Sequence, residues 1–155
     1  MSNLTHIDTQ NNPTMVDVSD KKITKRTAIA TSIVVFPDEI KHYFQDKELV
    51  TKKGPVYHTA IIAGVMAAKK THELIPFCHP IAIENCKIEI KTNDQGNAEI
   101  LCKVSLHHKT GVEMEALTGA SIAALTIYDM CKALSHNIII TATKLVKKTG
   151  GKSDI

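Results

Sequence analysis

Asp129 and Lys132 stand three residues apart inside the most apolar stretch of this chain, Ala116 to Ala133. On a helix that spacing puts the carboxylate and the ammonium on one face. A charged pair in an apolar wall is either an ion pair that fixes register or an acid–base pair with shifted proton affinities, suited to proton transfer. Glu113 and Glu115 precede the stretch, where a helix start favours carboxylates. Two apart on a helix they point about 200° away from each other, so they share a site only if the helix begins after them. Ile75-Pro-Phe-Cys-His-Pro80 sets Cys78 and His79 on a rigid loop between prolines. No second Cys/His cluster has ligand spacing, so His79 fits a lone acid/base or phosphate donor better than a metal ligand. Cations gather at Lys52-Lys53 and at Lys147, Lys148 and Lys152. Proton transfer beside grouped ammonium charge suits a small anionic ligand.

The elements that must position these groups follow from pattern. Thr27 to Phe36 is β-branched and reads as a strand. Pro37 opens a short helix over Asp38 to Gln45, and Pro55 opens a second one to about Thr71, since proline suits a first turn. Lys52-Lys53-Gly54 is the loop between them. The paired prolines make Ile75 to Pro80 irregular. Ile81 to Lys91 and Ala98 to His107 form a hairpin about a polar turn, with Ile88/Ile90 and Ile100/Cys102/Val104/Leu106 alternating toward one buried face. A long helix, Val112 to Leu134, and a last strand, Ile138 to Leu145, complete the order β-α-α-β-β-α-β. That order predicts an α+β fold of the ferredoxin-like sandwich type, an antiparallel sheet packed with helices. One domain over 1–155 is expected, with a flexible arm at 1–14 and a flexible glycine- and lysine-rich tail at 147–155.

Distance constrains the long helix. Glu113 and Asp129 are sixteen residues apart, about 24 Å along a straight helix. One copy of the helix therefore cannot bring both ends to one small ligand, whereas two subunits across a symmetric interface can. Ala116, Gly119, Ala120, Ala123 and Ala124 would allow that close approach.

Other classes are disfavoured. A net charge of +3, 4% aromatic residues and no Trp argue against nucleic acid as partner. Cys78, Cys86, Cys102 and Cys131 show no CxxC pairing and read as reduced thiols. Residues 1–14 are polar and lack a signal core, and the longest apolar run, Ile61 to Ala68, is far below the roughly 20 residues of a membrane helix. A cytoplasmic protein with no membrane partner is expected. Gly150-Gly-Lys-Ser153 is not a P-loop, because Val146 occupies the place of the first glycine; such a tail still fits phosphate through backbone N–H and ammonium groups.

Longer motifs now add to this reading. Met15-Val-Asp-Val-Ser19, Ala67-Ala-Lys-Lys70, Leu74-Ile-Pro76, Cys78-His-Pro80, Lys109-Thr-Gly-Val-Glu-Met-Glu-Ala-Leu117, Ala123-Ala-Leu-Thr-Ile-Tyr-Asp-Met-Cys-Lys-Ala133 and Gly150-Gly-Lys-Ser153 together resemble the cyclic pyranopterin monophosphate synthase family, the C proteins of molybdenum cofactor biosynthesis. The resemblance implies a homohexamer, a trimer of dimers with sites at the dimer interfaces. It implies conversion of 3',8-cyclo-7,8-dihydro-GTP to cyclic pyranopterin monophosphate with release of pyrophosphate, with no metal and no organic cofactor. Carried onto matching positions, it makes Asp129 catalytic with Lys132 as its partner, and puts Lys53 and His79 in the same pocket. Phe77, Cys78, His79, Glu113, Met114 and Glu115 then hold substrate, with Arg26, Lys21 and Lys148 as further basic groups. Four positions depart from the family pattern: Phe77 for Leu, Ser32 for Gly, Pro55 for an acidic residue and Ile61 for a basic one. None removes a proposed catalytic group. A non-catalytic nucleotide- or pterin-binding oligomer is the alternative, as is a purely structural hexamer.

Overall fold

The computed structural model describes residues 5–44 and 48–155. Residues 1–4 of the expected arm and Gln45, the expected end of the first helix, lie outside them. In chain order the elements are β1 (Thr24–Val35), α1 (Asp38–Lys41) with a 3-10 turn (His42–Phe44), β2 (Val50–Thr51), β3 (Gly54–Pro55), α2 (Val56–Ala68), α3 (Thr71–Leu74), β4 (Asn85–Thr92), β5 (Ala98–His108), α4 (Glu113–Cys131) and β6 (Ile139–Thr149). The large strands form one antiparallel sheet in the order β4-β5-β1-β6. The fold is α+β, with α2 and α4 packed on the sheet.

Alternation decides which face they cover. Ala28, Ala30 and Val34 of β1, Ile100, Cys102, Val104 and Leu106 of β5 and Ile88 of β4 are buried in one core with Ala116, Ala120, Ala123, Ala124 and Ile127 of α4. Each large aliphatic side chain so buried stabilises the fold by about 1.5–3 kcal/mol. The two helices cross where neither has a side chain. A Cβ on Gly64 would lie 2.8 Å from the Gly119 carbonyl oxygen, and one on Gly119 would lie 2.7 Å from Cys102 Sγ.

That crossing corrects one expectation. The small residues of α4 face α2 and the sheet of their own protomer, so they are not free to approach a second subunit. The outward faces instead carry Ile62, Met66 and Leu125, each more than half exposed. No helix among the described residues is long and apolar enough to cross a membrane.

Boundaries differ in informative ways. The second helix stops at Ala68, and a separate turn, α3, follows. Lys52-Lys53 is the tip of a minute hairpin formed by β2 and β3, not a plain loop. The last strand continues through Lys147, Lys148 and Thr149, residues expected in the tail, because they pair with Ile29, Ala28 and Thr27. Ser32 is fully buried opposite a bulge of β6, where its Oγ and Thr143 Oγ1 share a 2.8 Å hydrogen bond.

Candidate active site

The two ends of α4 carry two different groups of side chains. Near the C-terminal end Asp129 lies in the last helical turn and Lys132 is the C-cap. Lys132 Nζ stands 3.0 Å from Asp129 Oδ1. The β2–β3 hairpin delivers Lys53, whose Nζ donates to Asp129 Oδ2 at 2.7 Å and to the Asp129 carbonyl at 3.2 Å. The three side chains line a cavity of about 540 Å³ whose wall includes Tyr43, Leu49, Val50, Met130 and Leu134.

This trio is not a buried ion pair. The Asp129 side chain is 52% exposed, with the β2–β3 hairpin reaching it only through Lys53 Nζ. The hydrogen bond from Lys53, then the one from Lys132, holds its carboxyl below the usual carboxylate range. Asp129 is thus ionised at neutral pH. Two ammonium groups against one carboxylate leave a net positive site, fit for an anion.

At the other end, Glu113 and Glu115 occupy the first and third positions of α4. The helix begins at Glu113, not after it, yet both carboxylates line one cavity of about 440 Å³. The expectation that they must diverge fails because the cavity wraps around the helix end instead of lying along one face. Glu113 Oε1 is 3.3 Å from Lys148 Nζ. Glu115 is only 4% exposed. Burial pushes its carboxyl up to about 7, aided by the Glu113 charge. Near neutrality it can give or take a proton.

The same cavity holds Lys21, Phe77, Cys78, His79, Met114 and Lys148. His79 Nε2 is 2.7 Å from the Val16 carbonyl. A carbonyl only accepts, so Nε2 carries the hydrogen and, in the neutral ring, Nδ1 is the free base. Burial, then the Glu115 charge, raises the Cys78 thiol, so it is a poor nucleophile. Arg26 is not in this cavity. Its guanidinium donates to the carbonyls of His108 (3.4 Å) and Lys109 (3.2 Å) and lines adjoining clefts with Gly111, Glu113 and Gly151, and with Lys21, Lys22 and Lys152.

Within one protomer, then, Lys53, Asp129 and Lys132 form one group and His79, Glu113, Glu115, Lys21 and Lys148 another, with α4 between them. Lys53 and His79 do not share a pocket here. Lys152, expected in a phosphate-binding tail, lines this cavity too, whereas sequence reasoning overlooked Val16, Val18 and His6; the period-two spacing of Val16 and Val18 was the available signal. It also overlooked Leu49, Tyr43 of the 3-10 turn and Val50 of the two-residue strand β2, segments too short to show a period.

Known proteins align with this arrangement over nearly the whole chain. The model of the MoaC family matches residues 15–151. A protein of Xanthomonas campestris pv. campestris named cyclic pyranopterin monophosphate synthase is 56% identical over 98% of this chain and 92% of its own length. One of the same name from Bacillus pumilus is 47% identical over 99% and 94%. Molybdenum cofactor biosynthesis protein 1 of Dictyostelium discoideum is 56% identical over 91% of this chain but 25% of its own. A match across both helix ends and the sheet between them leaves one conclusion: this chain belongs to the MoaC family.

Proposed function

We propose that this protein is a cyclic pyranopterin monophosphate synthase, a pyrophosphate-releasing lyase of molybdenum cofactor biosynthesis acting in the cytoplasm on 3',8-cyclo-7,8-dihydro-GTP. The observation that carries the reading is Asp129 held between Lys53 and Lys132 at 2.7 and 3.0 Å in an open cavity. Family membership supplies the reaction. Closing the cyclic phosphate forms a P–O bond between a sugar hydroxyl and the α-phosphorus and breaks the α–β anhydride. The hydroxyl proton needs an acceptor and pyrophosphate needs cations as it leaves. Asp129 is the ionised base, and Lys53 and Lys132 stabilise charge beside it. His79 and Glu115 carry further protons during rearrangement of the purine-derived ring. Phe77, Cys78, Glu113 and Met114 hold substrate, while Lys21, Arg26, Lys148 and Lys152 provide the positive charge a triphosphate requires.

The subunit is read as a ferredoxin-like sandwich, on its β-α-β-β-α-β core and strand order. It assembles as a homohexamer, a trimer of dimers, with the Asp129 end of one α4 meeting the His79 end of its partner's. The half-sites at opposite ends of α4 support this arrangement, as do the exposed Ile62, Met66 and Leu125. Incubation with the cyclic dihydro-GTP intermediate should release pyrophosphate and the pterin product together. Binding without turnover would instead favour a non-catalytic pterin-binding oligomer.

A further inference from the structure

Helix α2 begins without a cap of its own. Its N-cap residue is Pro55 (φ −71°, ψ 127°), which makes no side-chain cap bond, and its first turn has no acidic residue. The amides at the second and third helical positions are those an N-cap side chain normally satisfies. Here both go to one carboxylate from earlier in the chain. Tyr57 N donates to Glu48 Oε1 at 2.6 Å and His58 N to Glu48 Oε2 at 2.8 Å. Val56 N, the remaining first-turn donor, bonds the Leu49 carbonyl at 2.8 Å. His58 Nδ1 also lies 3.1 Å from Glu48 Oε2, and the Glu48 side chain is only 19% exposed. The position is electrostatically apt, because a helix N-terminus attracts a carboxylate.

Between Glu48 and α2 lies the hairpin that carries Lys53. Thr51 Oγ1 accepts from Lys53 N at 3.1 Å and donates to the Gly54 carbonyl at 3.3 Å, so the tip is fixed internally. Its orientation is another matter. One leg of the hairpin runs directly into α2, and the other is tied to α2 through Glu48 and Leu49. With both legs tied, Lys53 Nζ reaches Asp129.

We propose that Glu48 is a positioning residue: its carboxylate caps α2 in place of Pro55 and thereby holds the Lys53 hairpin against Asp129. The proposal rests on the reading of Lys53 as part of the active site. Glu48 touches no member of the Asp129 trio itself; it acts through the backbone. A displacement of about 1 Å in a catalytic group can cost about 10²-fold in rate, and that is the scale expected here.

The test uses the intact protein. Glu48→Ala should speed hydrogen exchange at the Tyr57 and His58 amides and raise the acylation rate of Lys53, read by peptide mass spectrometry. Labelling of Lys132 should stay unchanged, and kcat should fall about 10²-fold with little change in KM. Glu48→Gln, which keeps one acceptor, should show a partial effect and guards against a Glu48→Ala chain that fails to fold. The decisive variant adds Pro55→Asp to Glu48→Ala. Pro55 already has N-cap backbone geometry, so an aspartate there can take the same two amides. It should restore amide protection, Lys53 labelling and kcat together. Restored amides with Lys53 labelling still fast would overturn the proposal, as would wild-type Lys53 labelling in Glu48→Ala. If the wild-type chain shows no turnover, the functional reading fails, while exchange and labelling still decide the role of Glu48.

Discussion

The two ends of α4 use the same kind of group in opposite ways. Asp129 is half exposed, bracketed by two ammonium groups and held below the carboxylate range. Glu115 is almost wholly buried and pushed up to about 7. Two carboxylates on one helix therefore differ in charge at neutral pH because their surroundings differ. The contrast supports the proposed division of work: an ionised carboxylate beside cations at one end, a group that can carry a proton at the other. Since α4 separates them within one chain, the proposed assignment requires that two copies of the helix meet.

The largest expected effect attacks that point. Asp129→Asn and His79→Ala should each lower kcat by about 10³-fold, the scale of a lost general acid or base. Each variant damages a different end. If two subunits complete each site, a mixture of the inactive variants, dissociated and reassembled, regains up to about a quarter of the wild-type sites, the share expected for random pairing in a two-fold dimer. Turnover assays on the mixture check this. No recovery despite mixed oligomers by native mass spectrometry would mean that each end works within its own chain.

A smaller effect sharpens the proton assignment. Glu115→Gln should cost about 10²-fold in kcat and flatten one limb of the pH profile. In the wild type, activity that depends on protonated Glu115 should fall as pH rises through about 7. In the variant that limb should vanish, while the acid limb governed by ionised Asp129 should remain. A variant that keeps the alkaline limb would show that another group owns it.

Both ends also depend on the rod between them. Gly119→Ala places a Cβ 2.7 Å from Cys102 Sγ and 3.3 Å from the Gly64 carbonyl oxygen. The overpacking should destabilise the protein by about 2 kcal/mol, read by urea unfolding. Both cavities should stay formed below the transition, because the helix shifts as a unit. Selective loss at one end would show that α4 bends at the crossing.

Much of this molecule was legible where pattern is long. The alternation of Ile100, Cys102, Val104 and Leu106 placed the inner face of β5, and all four are buried. Short devices were not legible. Val50–Thr51 and Gly54–Pro55 are two-residue strands, too short for any period. The second helix, expected to run to about Thr71, stops at Ala68, and the four-residue α3 that follows is too short to show a period. Sequence leaves open whether Asp129 belongs to a buried ion pair or to an accessible acid–base pair, because apolar neighbours in sequence do not reveal how exposed one helix position is; the side chain is half exposed. Glu113 and Glu115 were judged by helix angles that hold along a face but not around a terminus. Glu48 left no trace, since nothing local marks a cap supplied from nine residues upstream.

The smallest effect separates the two carboxylates by stability instead of rate. Glu115 has a folded-state proton affinity raised above its ordinary value of 4.5. Below pH 4.5 it is protonated in both states and exerts no strain. As pH rises from about 4.5 to about 7, the unfolded chain releases this proton first, so the native state holds the excess proton and stability declines. Glu115→Gln should remove that decline and leave the protein more stable than wild type at pH 8. Asp129 has the opposite sign, because a lowered proton affinity contributes stability above the carboxylate range and loses it on acidification. Exposed ion pairs contribute little, so Asp129→Asn should leave the unfolding midpoint at pH 8 almost unchanged. Denaturant titrations of the three proteins from pH 5 to pH 8 check the sign for Glu115, and extending them below pH 4 checks it for Asp129. A wild-type curve that is flat from pH 5 to pH 8 would mean Glu115 is already ionised in the folded state, and the two ends of α4 would then carry the same charge.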